Sequence, residues 1–188
     1  LSLVGSEMCI RDRLCSSSIK DEEGRYESKP PYRSFILENY TEESAKHYFD
    51  TAPIDSWEGI WLLTENGERV AIERFKDIRF SEIFTHRIVK LDSSVRSEIP
   101  VGTILGYLTR GVNPNTCFIW LYKHKLTGAI LYAPKRFSAR LTSDLNGILF
   151  SGNSAKKLED LFDPRSGFIK LYPKQISEDS ENREIRYL

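Results

Sequence analysis

Glu58-Gly59-Ile60-Trp61-Leu62-Leu63-Thr64-Glu65-Asn66-Gly67-Glu68-Arg69-Val70-Ala71-Ile72-Glu73-Arg74-Phe75 is the stretch whose reading decides the fold of this 188-residue chain. Two runs rich in β-branched and aromatic residues flank Asn66-Gly67, a dipeptide that accepts the positive φ of a tight turn. The pair reads as an antiparallel hairpin. Further apolar runs at 83–91, 103–109, 116–122, 128–132, 136–142 and 148–151 predict more strands, punctuated by Gly111, Asn113-Pro114-Asn115 and Asp144-Leu145-Asn146-Gly147. A last strand is expected at 167–172. Short links favour an antiparallel meander of eight to nine strands, and such a meander removes its unpaired edges by closing into a barrel. The expected fold is therefore mainly β, a closed barrel with two short helices.

The first helix is read at 40–50, with Thr41 as N-cap, acids in the first turn and Pro53 beyond its end. Ala45, Tyr48 and Phe49 form its apolar stripe, which must pack on something. The second helix is read at 155–162. Cys117, inside an apolar run, reads as a small buried hydrophobe.

Composition sets the class. With 40 % hydrophobic residues, 12 % aromatics and 27 basic against 27 acidic residues, the chain describes one globular domain with no need of disulfides or a structural metal. No apolar run approaches the ~20 residues of a membrane-spanning helix. Zero net charge also argues against a disordered or nucleic-acid-coating chain.

Leu3-Val4-Gly5-Ser6-Glu7-Met8-Cys9-Ile10-Arg11-Asp12-Arg13 resembles a translated sequencing adapter, so residues 1–13 are set aside as an artefact. Residues 14–39 read as a polar linker, 40–173 as the barrel domain and 174–188 as a charged tail. Leu14-Cys15-Ser16-Ser17-Ser18 followed by Lys20-Asp21-Glu22-Glu23 resembles the start of a mature bacterial lipoprotein. That resemblance implies a lipidated Cys15 and an extracytoplasmic location; a plain polar linker explains the composition as well.

Gly59-Ile60-Trp61, preceded by a short helix, resembles the Gly-x-Trp signature that opens lipocalin-like (calycin) barrels. The resemblance spans about residues 40–173. It implies that Trp61 plugs one end of the barrel and packs against an arginine near the far end of the chain, here Arg165. The same stretches also look like β-rich accessory domains of secreted bacterial proteins.

Two surfaces are candidate sites. Phe75, Tyr107, Phe118, Trp120, Tyr122 and Tyr132, with Trp61, either line an apolar pocket for a small ligand or fill the core; periodicity does not separate the two. Residues 14–98 hold 17 acids against 12 bases, whereas 99–143 hold no acid and six bases, Arg110, Lys123, Lys125, Lys135, Arg136 and Arg140. Interleaved with Tyr122, His124, Tyr132 and Phe137, these bases can face an anionic ligand, surface or partner protein, or pair with the acidic half of the chain.

No catalytic motif is legible. His47, His86 and His124 lack a second ligand at metal-binding spacing, and no nucleophile elbow, phosphate loop or dinucleotide fingerprint occurs. No cofactor, metal or specific nucleic acid is expected. Glu58 and Glu73 face each other across the first hairpin and read as exposed strand-end carboxylates. The leading expectation is a non-enzymatic extracytoplasmic barrel that binds a small apolar or amphipathic ligand. The alternative is an accessory module that docks an anionic surface or partner domain through 99–143.

Overall fold

The structure is a computed structural model that describes residues 19–20, 26–27, 30–74, 84–125, 130–151 and 163–174, with 19–20, 26–27, 123–125 and 163–165 as backbone only. A two-residue pair, β1 (Ile19–Lys20) with β2 (Tyr26–Glu27), precedes α1 (Glu42–Thr51). Eight strands follow: β3 (Gly59–Leu63), β4 (Glu68–Arg74), β5 (His86–Lys90), β6 (Ile104–Arg110), β7 (Thr116–Lys125), β8 (Leu131–Leu141), β9 (Gly147–Phe150) and β10 (Asp163–Tyr172). Each pairs antiparallel with its neighbours in sequence, and β10 closes on β3 to complete the barrel.

The first hairpin forms as its sequence predicts, with Trp61 opposite Val70 and the Gly67 amide donating to the Leu63 carbonyl at 2.8 Å. Gly67 has φ +74, and Asn66 Oδ1 accepts from the Glu68 amide at 3.0 Å. Gly59 answers a different demand. Its φ is +145, and a Cβ there would collide with the Tyr172 carbonyl on the closing strand.

Side chains alternate across each strand. The cross-strand row Trp61, Val70, Lys90 and the row Ile72, Ile88, Gly106, Leu121 face inward. With Leu63, Leu108, Ile119, Ala139, Leu141, Ile148, Phe150 and Phe168 they build the main core. A smaller core lies outside the barrel wall, where Ala45 and Phe49 of α1 cover Ile60, Ala71 and Leu91. The helix starts at the expected cap: Thr41 Oγ1 accepts from the Ser44 amide and Ser44 Oγ from the Thr41 amide.

Three expectations change in detail. The runs 128–132 and 136–142, read as two strands, meet in the single strand β8 from Leu131 to Leu141, because Pro134 sits opposite Tyr122 without shifting the register. Ala133 (φ +53) turns its amide to the Tyr32 carbonyl instead of to β7, so the proline interrupts little pairing. The fifth strand starts at His86 and not at 83, and β10 starts four residues before the expected 167, with a register shift between Asp163 and Gly167. The helix read at 155–162 lies outside the described residues.

Residues 30–37, within the stretch read as linker, lie along the barrel as a strap. Ser34 donates to the Leu131 carbonyl at 2.8 Å, Leu37 to Gly102 at 2.9 Å, and Ile104 to Phe35 at 2.8 Å. Tyr122 Oη donates to the Pro31 carbonyl at 2.5 Å. These bonds occupy the starts of β6 and β8, where β7 and β9 give no partner: β6 meets β7 from Gly106 onward, and β9 meets β8 only at 139–141.

Candidate functional site

Strand direction gives the barrel two unlike ends. At the end that receives the chain from α1, Trp57 and Trp61 are buried. Trp57 donates from its indole to the Pro114 carbonyl at 3.3 Å, and Trp61 to the Trp57 carbonyl at 3.0 Å. The opposite end, at the β3–β4 turn, holds a cavity of about 260 Å³ lined by Leu63, Val70, Ile88, Leu105, Leu121, Tyr122 and Phe168, with Glu65, Asn66 and Arg96 at its rim.

The rim rests on a buried ion triad. Glu68 ends the turn and, like Lys90 at the end of β5, is fully buried; Lys90 Nζ donates to Glu68 Oε1 at 2.7 Å. Lys90 also donates to the carbonyls of Val95 and Arg96, which ties the β5–β6 loop to the barrel. Arg96, with a left-handed φ of +46, returns its guanidinium side-on to both oxygens of Glu68. Two cations thus share one carboxylate at the mouth.

A second ion network lies at the end that receives the chain from α1. Asp55 Oδ1 caps the Trp57 amide at 2.9 Å, while Oδ2 meets His86 Nε2 at 3.2 Å and the Arg110 guanidinium. Burial alone would raise the Asp55 carboxyl, yet the bond and charge of His86, the Trp57 amide and Arg110 outweigh it and hold it at about 2. Glu58 accepts from Tyr48 Oη at 2.7 Å and Arg74 Nε at 3.1 Å. Glu73 accepts from Tyr40 Oη at 2.7 Å and Arg87 at 2.6 Å. Burial, then the facing carboxylate, pushes both tyrosine hydroxyls above their ordinary range.

Glu58 and Glu73, read as exposed strand-end carboxylates, are therefore buried: Tyr48 of α1 reaches Glu58, and Tyr40, just before the helix, reaches Glu73. The network also gathers Asp55, Glu58 and His86, whose ligating atoms fall within 4.8 Å of one another. Their separation in sequence hid this grouping. Both carboxylates already hold guanidinium groups from Arg74 and Arg110, so the cluster is charge-compensated by the chain itself.

Of the six aromatics read as pocket residues, Tyr122 lines the cavity. Tyr107 is buried against Phe84 at 5.5 Å and Tyr122 at 6.4 Å. Trp120 is buried and Phe118 is 39 % exposed, with the Arg136 guanidinium 5.7 and 5.1 Å from their rings. Tyr132 meets Tyr32 at 5.9 Å, and Phe75 lies outside the described residues. The cavity's aliphatic lining is not legible in the sequence, since Leu63, Val70, Ile88, Leu105 and Leu121 carry no signal beyond strand alternation.

On the basic segment, Arg136 and Arg140 share one face of β8, and Lys135 lies on the other with its Nζ 5.7 Å from the Phe137 ring. Lys123 and Lys125 are described as backbone on β7. Among the described side chains, Lys170 places its ammonium 4.6 Å from the Trp61 ring centroid. Arg165 lies earlier on β10, described as backbone only. Cys117 is buried, and burial pushes its thiol up. Among the described residues no helix is long and apolar enough to cross a membrane. In comparisons of the chain with family models, curated proteins and solved structures, none matches.

Proposed function

We propose that this chain is a lipocalin-like, non-enzymatic, extracytoplasmic barrel that takes a small apolar or amphipathic ligand into the cavity at its open end. The observation that carries the reading is that cavity: about 260 Å³, walled by aliphatic side chains and Phe168, at the β3–β4 end of the barrel, with Trp57 and Trp61 buried at the other. At about 30 Å³ per water-sized group it holds about nine such groups. That suits an eight- to ten-carbon chain. Apolar walls with a few polar rim groups are the usual composition of a small-molecule site. Cys15 before a polar, acidic stretch supports the extracytoplasmic part of the reading.

The test is titration of the folded chain with an uncharged, environment-sensitive apolar dye. Saturation at one dye per chain supports the reading; a folded chain that takes up none contradicts it.

A second reading, docking of an anionic surface or partner domain through 99–143, is favoured by Phe118, which stays partly exposed beneath the Arg136 guanidinium. Charge reversal at Arg136 and Arg140, which share one face of β8, separates the two. Docking then disappears while the interior dye stays bound.

A further inference from the structure

We infer that a cleft at the end of the barrel that receives the chain from α1 binds a small oxyanion, a carboxylate or a phosphate, on the guanidinium of Arg110, with Asn115 and Ser56 as further donors. The cleft shares no residue with the mouth cavity and does not depend on it. It lies between the loop before β3 and the β6–β7 turn, encloses about 380 Å³, and its lining includes Asp55, Ser56, Trp57, Arg110, Asn115 and Leu141. Trp57 and Leu141 are buried and give it an apolar floor. At about 30 Å³ per water-sized group it suits a compact polar molecule.

The inference comes from what the cleft has spent and what it has left. Asp55 Oδ1 accepts from the amides of Trp57 and Glu58 at 2.9 and 3.3 Å, and Oδ2 takes His86 and Arg110, so both oxygens are filled. A cation finds no free carboxylate oxygen there. Arg110 is half exposed, and among the described residues its guanidinium bonds Asp55 alone, through Nη2, which leaves the donors on Nε and Nη1. The same bond holds the guanidinium in place, so little freedom is lost when an anion docks on it. Asn115 spends its backbone amide on Asn113 and its carbonyl on Leu141, and its side-chain amide bonds nothing among the described residues. Ser56 gives its carbonyl to Lys170 and keeps its hydroxyl.

Charge points the same way. In the network behind the cleft, Arg74, Arg110 and Lys170 stand against the carboxylates of Asp55 and Glu58. Burial lowers the Lys170 amine to about 8, so it keeps its charge at pH 7. One positive charge is therefore in surplus, and a proton on His86 can only add to it. An oxyanion accepts without donating and carries the missing negative charge; its oxygens match a guanidinium edge and a neighbouring amide. A neutral polar molecule of the same shape gains the hydrogen bonds without the charge.

The experiment titrates the folded chain at pH 7 and constant ionic strength with malonate, its uncharged counterpart malonamide, and inorganic phosphate, followed by backbone amide resonances. Malonate or phosphate is expected to saturate, with shifts centred on Ser56, Gly111 and Asn115, and to bind at least tenfold tighter than malonamide. The tighter of the two anions tells whether the site prefers a carboxylate or a phosphate. Arg110→Gln is expected to weaken the anion tenfold or more. Asn115→Asp does the same while it leaves the bond between Asp55 and Arg110 in place, so it decides the matter even where loss of Arg110 disturbs the fold. Malonamide as tight as the anions, shifts centred elsewhere, binding that Asn115→Asp leaves unchanged, or no saturation by either anion overturns the inference.

Discussion

The ammonium of Lys170 lies 4.6 Å from the centroid of the Trp61 ring and donates to the Ser56 carbonyl at 2.8 Å. One residue of the closing strand thereby touches both Trp61 and the loop before β3. Burial lowers the amine from 10.5 to about 8, against the opposing pull of Asp55 and Glu58. Between about pH 8 and 10.5 the folded chain releases this proton while the unfolded chain keeps it. Stability from this group therefore rises with pH across that window. Calorimetric melting from pH 8 to 9.5 is expected to show a rise that Lys170→Met removes; an unchanged slope in the variant contradicts the assignment. The buried hydroxyls of Tyr40, Tyr48 and Tyr122, raised above their ordinary value, act in the opposite sense only above about pH 10.

Asp55 controls the acid side. Its folded-state value of about 2 lies below the ordinary 3.8, so its contribution is present above pH 3.8 and is lost as pH falls toward 2. Asp55→Asn is expected to flatten the acid limb of the stability profile between those values. The measurement is urea unfolding at half-unit pH steps.

Glu68 and Lys90 are a buried pair whose members depend on each other. Removing one partner leaves an uncompensated buried charge, so Glu68→Gln is expected to cost about 3–5 kcal/mol. The double change Glu68→Leu with Lys90→Leu is expected to recover most of that loss. Denaturant melts of the three variants decide it, and a double variant as unstable as the single one contradicts the pairing.

The fold was legible because it is written in local signals. Asn66-Gly67 between two β-runs and Thr41 before acids each act within a few residues, and each forms as read. The division of β8 failed because Pro134 normally ends a strand, and only the tertiary setting of Ala133, bonded to Tyr32, lets the ladder run past it. The sites were less legible. The cavity is lined by ordinary aliphatic residues from five strands, and its rim donors are a turn asparagine and a loop arginine, none with a spacing that sequence displays. Aromatic enrichment pointed instead to Tyr107 and Trp120, which are buried against other rings and the Arg136 guanidinium. Asp55, Glu58 and His86 meet because β3, β4 and β5 pair side by side, which sequence spacing does not display.

The strap at 30–37 makes a prediction about the domain's extent. A chain shortened to begin at Tyr40 loses the bonds to Gly102, Ile104, Leu131 and Ala133 and the packing of Phe35 and Leu37. At about 1 kcal/mol for each net hydrogen bond, it is expected to be several kcal/mol less stable than one beginning at Lys29. Equal melting temperatures for the two contradict a structural strap.

Val70→Phe places a ring in the cavity from the middle of its wall. The variant is expected to fold, with a stability change within about 1–3 kcal/mol, and to bind the dye at least tenfold more weakly. Dye titration with a circular dichroism spectrum of the same sample checks both parts.

The central claim is that the mouth cavity holds the ligand, and the most direct measurement is the set of intermolecular nuclear Overhauser effects between octanoate methylenes and the methyl groups of the folded chain. The account predicts contacts to Val70, Ile88, Leu105 and Leu121. Contacts confined to the outer face around Phe118, or none at saturating octanoate, would contradict it.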